Sequence, residues 1–425
     1  MNGKVNIALE RCRERRRRRI EMRRMSSDDP AYALSQRTTQ WNGGTNFNLN
    51  LGSKQIMFPW TTMMPPPVLF RSPPVVASSS KRRHANLGPK SKIPKEEAPP
   101  VSGFMSVSGC TRDMEDTVSI VSNLCKPEIN KNRPVHFFGV FDGHGTTHVS
   151  SLCRDSMHLI MEQELMGAGK TGMGGDGGGS SSSKVNNKGK GKEKEKEDDS
   201  ELEKVLWTKA IKRCFKRMDE MALSTCPCGN PGFNCTCKPL EAALSGSTAV
   251  LAMLTPDQII VANCGDSRAV LCRAGKCTPL SSDHKPDRVD ELARIRASGG
   301  RVLYENGARV EGILAMSRAL GDGYLKRVIT SEPEICFMKR DPRDECLILA
   351  TDGLWDVVSS RLACEIVSNC LKHGPVGGLG IGSSQAGWEL SFPSTSTSAA
   401  TLLARLAMGR KSMDNVSVVV VDLRK

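Results

Sequence analysis

No apolar run in this chain of 425 residues approaches the roughly 20 residues needed to cross a bilayer. The first residues carry no apolar core of the secretory type, and Met1-Asn2-Gly3 lacks the glycine at position two that N-myristoylation requires. Neither a secretory leader nor contact with a membrane is therefore expected. Aromatic residues make up only 4% of the chain, and none is interleaved with the arginines near its start. No fold motif for DNA accompanies those arginines either, so a specific nucleic-acid binder is not expected. Acidic residues are the scarcer charge, 46 against 60 basic, which leaves a net +14.

That excess is concentrated. Nine arginines stand between Arg11 and Arg24, and Lys81-Arg82-Arg83 forms a second basic cluster. Such a run reads as a nuclear import signal, as a solvated, partly helical arm, or as a contact for an acidic partner or nucleic acid. The first reading leads, and it expects a nuclear protein that is also present in the cytoplasm. Residues 25–100 are rich in Ser, Pro, Asn and Thr without a sustained period, so 1–100 is expected to be a basic, mostly disordered region. With no signal for secretion, the 16 cysteines are expected to be reduced thiols. Cys226, Cys228, Cys235 and Cys237 form C-x-C-x6-C-x-C, which could hold zinc but departs from the usual C-x2-C spacing. A redox-sensitive or inert loop is the other reading.

The chemistry is concentrated where apolar runs stop. Residues 135–145, V-H-F-F-G-V-F-D-G-H-G, read as a buried strand ending at Asp142, Gly143 and His144. Residues 345–356 repeat the pattern, ending at Asp352-Gly353 with Asp356 four residues on, and Asp414-Asn415 leads into a third apolar strand. Glu115 and Asp116 stand in an earlier segment, T-R-D-M-E-D. Desolvating a carboxylate costs several kcal/mol unless something neutralises it. Acids delivered by separate strands therefore call for cations, and oxygen ligands without paired His or Cys point to Mg²⁺ or Mn²⁺.

Further elements follow by period. A strand bearing the M-E-D acids with a hairpin-like continuation is expected over 105–121, helices over 148–166 and 201–224, and strands over 247–254 and 258–272. The turn Gly265-Asp266-Ser267 would fold the last of these into a hairpin with Asp266 at its apex. Helices are expected over 287–298, 359–372 and 399–409, a strand over 345–350, and a glycine-bearing flap over 301–318. The Gly/Ser/Lys/Glu run 167–200 and the Gly/Ser-rich run 373–398 read as flexible insertions. Apolar strands in two sets flanked by amphipathic helices suggest a layered α+β arrangement.

Eight ordered blocks carry a resemblance. T-R-D-M-E-D, F-F-G-V-F-D-G-H-G, S-G-S-T-A, V-A-N-C-G-D-S-R-A-V-L, D-H-K-P-D-R-x-D-E, M-S-R-A-L-G-D, A-T-D-G-L-W-D and D-N-V-S-V-V-V together resemble the metal-dependent serine/threonine phosphatases of the 2C type. The blocks run from about 101 to 423, the expected extent of a catalytic domain. G-A-R-V-E-G-I-L-A and L-S-S-D-H-K-P-D-R resemble the plant abscisic-acid-signalling branch, and within it the ABA-hypersensitive-germination type.

The resemblance implies a four-layer α-β-β-α sandwich of two antiparallel sheets, and hydrolysis of phosphoserine and phosphothreonine by a metal-activated water without a phosphoenzyme. It implies two Mg²⁺ or Mn²⁺ ions, with Asp142 bridging them, the Gly143 carbonyl a ligand, and Asp352 and Asp414 completing the first. Glu115 and Asp116 would hold metal-bound waters, Asp266 and Asp356 would lie at a weaker third ion, and His144 would protonate the leaving oxygen. The expected biology is a monomeric negative regulator of abscisic-acid signalling acting on protein kinases.

Two departures stand out. The family's phosphate-binding arginine stands four residues before the Glu of M-E-D, a position held here by Thr111, with Arg112 one later. On a strand, one residue turns a side chain to the other face, so Arg112 binds phosphate only if the strand bulges. That shift supports an alternative, a catalytically weak module that inhibits kinases by docking. In the flap, the position before N-G-A-R-V, where hormone-receptor-regulated members carry tryptophan, is Glu305, ahead of Arg309 and Glu311. A carboxylate replacing an indole anchor predicts weak or absent inhibition by soluble abscisic-acid receptors.

Overall fold

The computed structural model describes residues 98–109, 113–168, 191–225, 243–304, 307–374 and 394–424, the side chains of 191–200 excepted. Arg112, Glu305, the Cys226/Cys228/Cys235/Cys237 cluster and the basic arm lie outside the described residues. In chain order the elements are β1 (Ser102–Val107), β2 (Thr117–Cys125), β3 (Val135–Phe141), β4 (Gly143–His144), α1 (His148–Gly167) and α2 (Gly191–Ser224). Then come β5 (Gly246–Ser247), β6 (Ala249–Leu254), β7 (Gln258–Cys264), β8 (Arg268–Arg273), β9 (Lys276–Pro279) and α3 (Val289–Ala297). β10 (Val302–Tyr304), β11 (Ala308–Val310), β12 (Leu320–Gly321), β13 (Glu334–Lys339), β14 (Asp344–Ala350) and α4 (Asp352–Trp355) follow. The series closes with α5 (Ser360–His373), α6 (Thr395–Gly409) and β15 (Val416–Asp422).

Two five-stranded antiparallel sheets form the centre, ordered β1-β15-β14-β8-β9 and β13-β7-β6-β3-β2. Alternation along each strand fills both of its faces. In β3, Val135, Phe137 and Phe141 meet the helices α1 and α2, with Trp207 and Phe215 of α2 among their neighbours. Phe138 and Val140 point the other way, to a core between the sheets that includes Leu347 and Leu349 of β14 and Val419 and Val421 of β15. On the far side, Ile348, Val418 and Val420 pack with Val367 of α5 and Leu403 of α6. The layers are therefore α-β-β-α, and with both faces of each sheet covered the central strands read as continuous apolar runs rather than as alternating ones.

Three expectations change. The segment expected as one strand over 105–121 is two, β1 and β2, which do not pair with each other: β1 pairs with β15 and β2 with β3. The M-E-D acids lie on the connection that crosses between the sheets. Likewise β7 and β8 belong to different sheets, and Gly265-Asp266-Ser267 is a crossing rather than a hairpin apex. The two insertions are shorter than expected. α2 begins at Gly191 and α6 at Thr395. The start of α6 is set by Ser394, whose hydroxyl accepts the Thr397 N–H at 3.1 Å. Thr401 donates to the Thr397 carbonyl at 2.8 Å, so hydroxyl-rich residues that suggested a loop are satisfied on the helix.

Candidate metal centre and active site

The registers bring the acid-bearing ends to one edge. Thr117 stands opposite Phe141, Ala249 opposite Cys264, and Ala350 opposite both Arg268 and Val418, while Val107 faces Val416. Asp116, Asp142, Asp266, Asp352 and Asp414 each lie within two residues of one of these ends. Their mutual influence bears out the proximity. Burial raises the Asp142 carboxyl well above the usual carboxylate range, and Asp116, Asp352, Asp414 and Asp266 raise it further. Burial likewise pushes Asp116 up to about 8, with Asp414 adding to it against hydrogen bonds from Ser417 and Thr351. Carboxylates packed this closely without cations repel one another.

Second residues hold the acids in place. Asn415 accepts the Glu115 N–H at 2.7 Å and donates its amide to the Asp113 carbonyl at 3.3 Å, which ties the crossing connection to the start of β15. Thr351 donates its hydroxyl to Asp116 Oδ2 at 3.0 Å and accepts the Ser417 N–H at 3.0 Å. Asp116 Oδ1 is buried without a hydrogen-bond partner, as is Asp266 Oδ1. Gly143 lies against the Glu115 carbonyl and Ser150 Oγ, and a Cβ there would collide with both. Sequence reasoning quoted Asn415 and Thr351 within motifs and gave them no task; their partners lie 300 and 235 residues away.

His144 is buried, and its Nε2 lies 2.7 Å from Asp322 Oδ2. Its Nδ1 is buried and has no hydrogen-bond partner. Asp322 closes the block M-S-R-A-L-G-D and was not singled out from the sequence. Lys285 was missed too: its Nζ is 2.5 Å from Asp266 Oδ2 and 3.7 Å from Asp352 Oδ2. Burial alone would lower the Lys285 ammonium, but Asp266, Asp352 and Asp356 outweigh burial and raise it. Asp356 itself is exposed at the end of α4.

The flap is the small sheet β10-β11. Glu311 adopts φ +50°, and its carboxylate accepts the Arg301 N–H and side chain at 2.9 Å each. That residue therefore closes the flap on itself. Arg309 donates to the Ile313 carbonyl at 3.2 Å.

Hard divalent ions fit this donor set. The side chains are oxygen donors, two of them have unsatisfied buried oxygens, and their mutual repulsion is what a +2 ion relieves. Among the described residues no group of three or more His, Cys, Asp or Glu side chains could by itself hold a metal ion as an all-protein cage. Mg²⁺ rarely needs one, since it keeps several waters.

Comparisons with known proteins accord with this geometry. The protein phosphatase 2C family model matches residues 101–416. A "Probable protein phosphatase 2C 75" of Arabidopsis thaliana is 47% identical over 424 residues, covering 99% of this chain and 96% of that one. A "Probable protein phosphatase 2C 68" of Oryza sativa subsp. japonica is 43% identical over 326 residues, covering 76% and 78%. Among solved structures, a serine-threonine phosphatase 2C from Toxoplasma gondii superposes with a TM-score of 0.54 at 22% identity, over 76% of this chain and 96% of that one, which speaks for the fold. The chain thus belongs to the protein phosphatase 2C family and is a serine/threonine phosphatase of that generally Mg²⁺/Mn²⁺-dependent type.

Proposed function

We propose that the acids at this edge hold two divalent ions and that the enzyme dephosphorylates protein kinases in the nucleus as a negative regulator of abscisic-acid signalling. The observation that carries the metal assignment is the set of five mutually repelling aspartates with two unsatisfied buried oxygens, delivered by separate strand ends. Asp142, the Gly143 carbonyl, Asp352 and Asp414 would hold the ions, with Glu115 and Asp116 orienting water beside them. Bound there, the ions would neutralise phosphoryl charge and make that water acidic.

The remaining steps belong to the chain's own side chains. Asp322 engages His144 Nε2 and fixes the ring, leaving Nδ1 as the atom with no other partner. A proton held at Nδ1 would go to the departing serine or threonine oxygen, which otherwise leaves as a costly alkoxide. The docking-module alternative rests on Thr111, and the complete aspartate set favours the enzyme.

The test is phosphopeptide hydrolysis by the full chain with Mn²⁺, with EDTA, and as Asp142→Ala. Turnover that needs metal and falls by at least about 10³-fold in the variant is expected. Metal-independent turnover would overturn the assignment. The abscisic-acid reading rests on the flap and D-H-K-P-D-R blocks. Glu305 at the tryptophan position leads us to expect that a soluble hormone receptor with abscisic acid leaves this turnover largely intact. Strong inhibition at stoichiometric receptor would contradict it.

A further inference from the structure

Lys285 sits where its charge has consequences. Asp266 is fully buried; one of its oxygens has no partner and the other receives the Lys285 ammonium. The same ammonium lies 3.7 Å from Asp352. The backbone that delivers it is pinned on both sides. The His284 N–H donates to the Gly265 carbonyl at 3.0 Å, the Ser317 N–H donates to the His284 carbonyl at 2.8 Å, and Arg288 N–H donates to the Lys285 carbonyl at 3.1 Å. The side chain itself is 37% exposed, so its head can swing out to solvent while its backbone stays fixed.

We propose that Lys285 is an internal monovalent cation between Asp266 and Asp352, and that its ammonium and a further divalent ion at Asp266 exclude one another. This inference rests on the metal reading given under Proposed function. An ammonium about 4 Å from a second cation opposes it strongly in a partly buried site. The lysine would therefore keep the Asp266 position weak, to be filled only at high metal concentration, and would stand in as counter-ion when it is empty. Losing that charge turns the pair of carboxylates into a better divalent site.

The experiment is equilibrium Mn²⁺ binding to the full chain, reading free Mn²⁺ by electron paramagnetic resonance. The proteins are wild type, Lys285→Met, Lys285→Arg, and the double variant Lys285→Met/Asp266→Asn. Lys285→Met is expected to tighten the weakest class of sites by at least about tenfold. Lys285→Arg, which keeps the charge, is expected to follow wild type, and the double variant to lose the gain. A Lys285→Met isotherm that superimposes on wild type overturns the inference, as does a gain that survives Asp266→Asn. Wild type that binds no Mn²⁺ at all sinks the metal reading; tight sites present with an unmoved weak class sink only the role of Lys285. Should Lys285→Met fail to fold without metal, refolding on adding Mn²⁺ supports the exclusion. Failure to refold with Mn²⁺, while Lys285→Arg folds, overturns it.

Discussion

An alanine methyl at Gly246 would lie 2.5 Å from His144 Nε2 and would collide with the Asp322 carboxylate. The hydrogen bond between those two groups therefore depends on a missing side chain on β5. Gly246→Ala, and Asp322→Asn more gently, should leave the fold in place and misdirect the imidazole. Turnover of a phosphoserine peptide is expected to fall about 10²-fold or more, while an aryl phosphate, whose leaving group needs no proton, should lose much less. Equal losses on both substrates would mean that His144 is not handling the leaving-group proton. At this scale the sequence was informative in an uneven way. Asp142, Asp352 and Asp414 could be read because each borders an apolar run. Asp322 could not, because its partner stands 178 residues away and nothing local to L-G-D signals a buried contact.

At the scale of elements, strands were visible and their partners were not. Val135–Phe141 and Val416–Asp422 announce themselves by apolar runs, but the runs do not say which sheet each joins. Two crossings read in the sequence as a strand with a hairpin and as a hairpin apex, since a turn between sheets and a turn within one use the same Gly, Asp and Ser. The crossing before β2 is clasped by Asn415, alongside Thr351 and Ser150. Asn415→Ala removes both the acceptor of the Glu115 N–H and the donor to the Asp113 carbonyl. A cost of about 1–3 kcal/mol is expected in denaturant unfolding. Divalent ions should also bind more weakly, because Glu115 loses one of its tethers beside the acids. An unchanged unfolding midpoint and unchanged metal affinity would show that the connection is held by something else.

At the scale of the whole molecule, one buried imidazole links stability to pH. His284 is fully buried, and its Nδ1 lies against the Gly265 backbone, 3.1 Å from the N–H and 3.0 Å from the carbonyl. Burial, then Arg318 and Arg288, against the opposing pull of Glu334 and Glu291, lower it from 6.5 to about 4. Folded below unfolded is the depressed case: the unfolded chain takes up the proton first. Stability present above about pH 6.5 should then be lost as pH falls toward 4, by on the order of 3 kcal/mol. Melting followed across that window with Mg²⁺ present should show the decline, and His284→Asn should flatten it. A decline of the same slope in the variant would assign the effect to other groups. His284 stands in a recognisable block, D-H-K-P-D-R, yet its burial is a property of the assembled layers and no local pattern carries it.

The order of β1-β15-β14-β8-β9 also has a temporal side. β15, the last of the described strands to be synthesised, is an inner strand, flanked by the earliest one and by β14. Its predecessor Asp414 belongs to the aspartate set. A nascent chain that has not yet delivered these residues has a sheet open down the middle and an incomplete set of acids, so a prematurely terminated copy would be neither folded nor able to remove phosphate. Translation must have passed β15 before the phosphatase can start.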